Sequence, residues 1–140
     1  MSTVLFCHDN VDFANTRSEI LQELFGHKVI VCTTAQSSLN RVNQGMGAFD
    51  IAIIHKDLGL GIEKIGSDQV VAQIHESAPY VRVGIISGEF PDGRDHVIRD
   101  LQADFYLEPE TDLDWCAEQV ARGPILPDEM EKRGKSVEMP

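Results

Sequence analysis

The chain has 140 residues, 42% of them hydrophobic, which is enough for one domain with a genuine core and excludes a disordered chain. Its 23 acidic and 12 basic residues leave a formal charge of −11, so an interface with nucleic-acid phosphates or an anionic membrane is disfavoured and a protein partner is expected. Three scattered cysteines with no C-x-x-C pair, no secretory segment and no long apolar run place the chain in the cytoplasm, with Cys7, Cys32 and Cys116 as reduced, buried, small apolar residues.

Val4-Leu5-Phe6-Cys7 has the short apolar run of a buried parallel strand. Asp9 and Asn10 close it and can cap a helix over Phe13 to Phe25, in which Phe13, Ile20, Leu21 and Leu24 recur at helical spacing; Gly26 ends that helix. Val29-Ile30-Val31-Cys32 is a second strand, and Thr33 or Thr34 can cap a short helix through Leu39 and Val42, stopped near Gly45. Ile51-Ala52-Ile53-Ile54 is the third strand. A long loop follows, in which Gly59, Gly61 and Gly66 suit turns with positive φ. Ser67 or Asp68 starts a helix with Val70, Val71 and Ile74 facing inward. Val81 to Ile86 form the fourth strand. A helix through Val97, Ile98 and Leu101 then leads to a short strand, Phe105-Tyr106-Leu107. The last helix begins near Thr111 or Asp112, carries Leu113, Trp115, Cys116 and Val120, and stops at Gly123-Pro124.

Five alternations of apolar strand and helix predict an α/β domain, a doubly wound five-stranded parallel sheet in the flavodoxin-like order 2-1-3-4-5, over residues 1–122. Residues 123–140 read as a polar C-terminal tail. In such a fold ligands bind beyond the carboxyl ends of the strands. His8 and Asp9 stand there after the first strand, His55 after the third, Ser87 after the fourth and Glu108 after the fifth.

These positions carry a resemblance. Val4-Leu5-Phe6-Cys7-His8-Asp9 is similar to the V-L-I-V-D-D segment of response-regulator receiver domains (CheY-like). Phe49-Asp50-Ile51-Ala52-Ile53-Ile54-His55 resembles their third strand, Y-D-L-V-L-L-D, and Ala103-Asp104-Phe105-Tyr106-Leu107-Glu108-Pro109 resembles A-D-D-Y-L-x-K-P, one residue short. The resemblance covers about residues 3–121 and rests on order and spacing. It implies two-component or phosphorelay signalling, with a kinase or regulator as protein partner and a homodimer as a further option. It also implies a pocket in which two acids hold a divalent metal and the third-strand aspartate accepts a phosphoryl group. Asp9 and Ser87, the latter at the family's Thr/Ser hydroxyl, match. His8, His55 and Glu108 do not, and an imidazole cannot form an acyl phosphate. Leu58 matches in the segment after His55, whereas the proline does not.

The departures imply a degenerate pseudo-receiver, a protein-interaction module not switched by aspartyl phosphorylation, with no catalytic residue, no metal and no cofactor. Tyr106, at the family's rotamer-switching aromatic, and Trp115 fall on the usual partner surface. The alternative is an atypical receiver that still takes phosphate or metal through Asp9 or Asp57. An enzyme using Ser87 and a histidine comes third, because Ser87 lacks a G-x-S-x-G elbow. A zinc site from His8, Asp9 and His55 has suitable ligand types but no local spacing to support it. Two further expectations follow from the resemblance: a cis Glu108–Pro109 bond, and a charge pair between His55 and Glu108 with the family's polarity inverted.

Overall fold

A computed structural model describes residues 2–44, 49–88, 101–109 and 113–133. Its strands are β1 (Thr3–Cys7), β2 (Lys28–Cys32), β3 (Ile51–His55), β4 (Arg82–Ile86) and β5 (Phe105–Leu107). All pair in parallel, in the order β2-β1-β3-β4-β5, as the alternation of elements predicts. The helices are α1 (Val11–Glu23), α2 (Ala35–Gln44), α3 (Ser67–Ser77), α4 (Leu113–Ala121) and a single turn, α5 (Pro127–Met130). The helix expected through Val97 and Ile98, and the cap at Thr111 or Asp112, lie outside the described residues. No helix among the described residues is long and apolar enough to cross a membrane.

Strand parity divides the core into two layers, because successive side chains leave a strand on opposite faces. Leu5, Cys7, Ala52, Ile54, Val83, Ile85 and Tyr106 share one face with Val42 of α2 and Val70, Val71 and Ile74 of α3. Val4, Phe6, Ile51, Ile53, Ile86, Phe105 and Leu107 share the other with Ala14 of α1 and Cys116 and Val120 of α4. Gly84 is required by this packing: a Cβ there would sit 2.2 Å from the ring of Phe105, its partner in the β4–β5 register.

Local signals account for the helix starts. Asn10 Oδ1 accepts the Phe13 N–H at 3.1 Å, the N-cap bond of α1. Thr34 Oγ1 accepts the Ser37 N–H at 3.0 Å ahead of α2. The cap of α2 is completed from a distance, since the Glu63 carboxylate accepts the N–H groups of Ala35 and Gln36 at 2.8 and 3.0 Å. Of the loop glycines, Gly59 and Gly61 take positive φ, +80° and +76°, whereas Gly66 is extended at −138° and precedes α3.

The stretch read as a tail from residue 123 is instead packed onto the domain as far as Arg133. Ile125 is buried, and its N–H donates to the Tyr80 carbonyl. The cause is Arg82, the one charged residue within β4, buried to 3% exposure. A buried guanidinium must find acceptors. It finds the Gly123 carbonyl at 3.0 Å through Nε, the Pro124 carbonyl at 3.4 Å through Nη2, and the Glu129 carboxylate at 2.7 and 3.2 Å. Arg133 adds a second attachment, with Nε to Asp104 at 2.9 Å, Nη1 to His75 Nδ1 at 2.9 Å and Nη2 to the Val81 carbonyl.

Candidate functional site: the carboxyl edge of the sheet

The register sets the site. Cys7 pairs with Ile54, so His8, the next residue, comes level with His55 in the adjacent strand. Phe6 and Ile53 face the α1 layer, so parity turns both imidazoles to that side. There the rings stack, with centroids 4.1 Å apart and planes 15° apart. Phe13 of α1 lies against His8 at 4.7 Å.

The hydrogen bonds assign the tautomers. The Asn10 N–H is a donor at 3.0 Å from His8 Nδ1, so that nitrogen is an acceptor and the neutral ring carries its proton on Nε2. Asp9 Oδ1 lies 3.7 Å from the same nitrogen, a proximity rather than an ion pair, because His8 is neutral. Burial, and then the neighbouring His55, bring the pKa of His8 down to about 4, against a smaller opposing pull from Asp9. His55 Nδ1 lies 3.1 Å from Asp9 Oδ1 and donates its proton to that carboxylate. The expected pair of His55 with Glu108 does not form among the described residues; Asp9 takes that place.

Ser87 is buried one residue beyond β4. Its N–H donates to the Leu107 carbonyl at 2.9 Å, which extends the β4–β5 pairing past the strand end. Tyr106 is 1% exposed, and its hydroxyl donates to the Ser87 carbonyl at 3.0 Å. Expected on the partner surface, Tyr106 is therefore a core residue: its parity points it into the α2–α3 layer, and its phenol finds an acceptor at the site's edge. Trp115 is half-buried on α4 and packs edge-on against Phe105, with centroids 6.3 Å apart.

Glu108 lies just past the end of β5. It borders a small crevice with Phe6, Phe13, Arg17, Ile86, Leu107 and Cys116, on the α1–α4 side. The Glu108–Pro109 bond is trans, contrary to the expectation. Trans is the lower-energy isomer, and the Pro109 carbonyl is turned onto Arg17 Nη2. Arg17 was not singled out from the sequence. Its guanidinium lies over the Phe13 ring, 5.0 Å from the centroid, which i, i+4 spacing from Phe13 on a helix makes possible.

The residues do not fit magnesium, the ion the resemblance implies. That ion prefers an octahedron of oxygens. The cluster His8–Asp9–His55 offers one carboxylate, already engaged by His55, and two imidazoles. Its ligand atoms lie within 4.8 Å of one another and are of types that suit a transition ion. Yet His8 Nδ1 is occupied by the Asn10 N–H, and stacked rings hold their lone pairs side by side rather than convergent.

The fold is the one that receiver domains share. No protein-family model and no curated protein matches the sequence. Solved structures similar to it include a response regulator receiver domain protein (CheY-like) from Methanospirillum hungatei JF-1, with a TM-score of 0.73 and 18% identity over 94% of this chain and 98% of that one. A response regulator receiver domain protein from Clostridium thermocellum gives a TM-score of 0.74 and 15% identity over 87% and 93%. The chemotaxis response regulator CheY4 of Vibrio cholerae gives 0.72 and 14% over 87% and 98%.

Proposed function

We propose that this chain is a pseudo-receiver: a signalling module that works by binding a protein and is not switched by aspartyl phosphorylation. One observation carries the reading. The carboxyl end of β3, where the receiver fold places its phosphoacceptor, holds His55, an imidazole stacked on His8 and bonded to Asp9. Phosphoryl transfer to a receiver makes a mixed anhydride, for which a carboxylate is needed at that point. The pocket's one carboxylate in this cluster, Asp9, is a hydrogen-bond acceptor for His55. Asp57 is exposed on the turn after β3, two residues past the strand end. Nothing in the arrangement requires a catalytic role for Ser87, whose carbonyl and N–H serve the β4–β5 edge.

A protein-binding role draws support from the loop after β3. Leu60 and Ile62 in that loop are exposed to 73% and 86%. Trp115 lies on α4, the helix after β5, where the resemblance puts a partner surface. The fold is shared with two-component receivers, so a kinase or another regulator is the partner class this reading favours.

Incubation of the chain with acetyl phosphate, followed by intact mass measurement, tests the reading. No phosphoryl adduct is expected. An adduct removed by Asp57→Asn or Asp9→Asn would establish the atypical receiver instead.

A further inference from the structure

Two of the three cysteines face each other across β1 and β2. Cys7 and Cys32 are direct partners in the parallel register, each the last residue of its strand. Both belong to the α2–α3 layer of the core, so both side chains leave the sheet on the same face. Adjacent strands run about 4.8 Å apart, within the roughly 4.4–6.8 Å between Cα atoms that a disulfide spans. Cys116 lies in the other layer, across the sheet.

We propose that Cys7 and Cys32 form a peroxide-sensitive dithiol that closes into a disulfide across β1 and β2. Cys32 is the attacking thiol. It is the more exposed of the two, 8% against 0%. It sits just ahead of α2, where its S–H donates to the Ser37 carbonyl at 3.9 Å in the resting thiol form. The neighbouring Cys7 first, then Arg41 and the serines of α2, bring its pKa down to about 7 against the opposing effect of burial. Cys7 is pushed up and stays protonated, the resting form of a resolving thiol.

Hydrogen peroxide is the oxidant. The Cys32 thiolate attacks one peroxide oxygen, the O–O bond breaks, and hydroxide leaves and takes up a proton as water, giving a sulfenic acid. Cys7 then attacks that sulfur. The S–O bond breaks, the oxygen leaves as a second water with the Cys7 proton, and the S–S bond forms. The two thiols give up two electrons, which reduce the peroxide to water. Side chains of a parallel pair run side by side at about the strand spacing, whereas a bridge needs its Cβ atoms about 3.8 Å apart, so closure draws the strand ends together by about 1 Å. β2 is an edge strand, held within the sheet by β1 alone, and can make that movement. Cys7 immediately precedes His8, so the movement starts at the border of the pocket.

The test uses the full chain, reduced, freed of reductant and exposed to hydrogen peroxide. The thiols are then alkylated under denaturing conditions, and intact mass and peptide mapping follow. The expected result is loss of two alkylatable thiols together, a mass lower by two hydrogens before alkylation, and a linked peptide joining Cys7 to Cys32, with Cys116 alkylated throughout. In Cys32→Ala the link is expected to vanish and Cys7 to stay alkylatable. Retention of all three thiols, or uptake of oxygen by Cys32 with Cys7 still alkylatable, would overturn the proposal. The parent chain alone supplies the deciding result, so a folding defect in the variant leaves the test intact.

Discussion

At the scale of single residues, His8 shows how position overrides type. Histidine is ordinarily the side chain that titrates near neutrality. Here the Asn10 N–H, the Phe13 ring and the His55 ring surround it and favour its neutral form. An NMR titration of the His8 ring should give a midpoint of about 4. In His55→Gln that midpoint should rise, because the second-largest cause is removed, yet stay below the ordinary value of about 6.5, because burial remains the largest. The sign for stability follows from linkage: with the folded pKa depressed, the contribution of His8 is complete above about 6.5 and is lost as pH falls through about 4. An unchanged midpoint in the variant would show that the stacked rings do not interact electrostatically. The stack itself was legible in principle. His8 and His55 follow apolar runs of matched parity on what the alternation makes neighbouring strands. The bond of His55 to Asp9 rather than to Glu108 was not legible, because it depends on how the chain turns after each strand ends.

At the scale of elements, the strands were readable because buried parallel strands are apolar throughout, and the caps at Asn10 and Thr34 because they are local. What escaped were contacts across distance. Glu63 caps α2 from the loop after β3, and no spacing in the sequence announces it. Arg82 did carry a signal, a charge inside an apolar strand, which demands a buried acceptor; that acceptor is the segment read as a tail. Removing one partner of such a pair leaves the other unsatisfied, so Glu129→Ala should destabilise the domain by about 1–3 kcal/mol. Thermal or urea denaturation of the variant measures it. A change within about 0.5 kcal/mol, the range of ordinary surface substitutions, would mean that the α5 turn contributes nothing to stability. The carboxylate also holds Arg122 at 3.0 Å, so part of the loss would come from α4.

At the scale of the whole molecule, the acidic balance and the histidine cluster bear on the same ion. A chain of formal charge −11 attracts any divalent cation weakly and without a site. Site binding needs several oxygens, and among the described residues the histidine cluster offers a single carboxylate. Millimolar magnesium should therefore leave the melting temperature where sodium chloride of equal ionic strength leaves it. A magnesium-specific rise, abolished by Asp9→Asn, would show that the pocket binds the ion after all. The order of the sheet was readable from alternation and handedness rules.

The attachment of residues 123–133 has a practical corollary for handling this protein. Arg133 is bonded to the Val81 carbonyl and to Asp104, which stand just before β4 and β5 begin. Arg133 thus sits at the amino-terminal rim of the sheet, while His8, His55 and Ser87 lie at the opposite rim. A dye or surface tether attached at Arg133 starts on the far side of the sheet from the histidine stack, so immobilisation through that point presents the histidine rim to the solution.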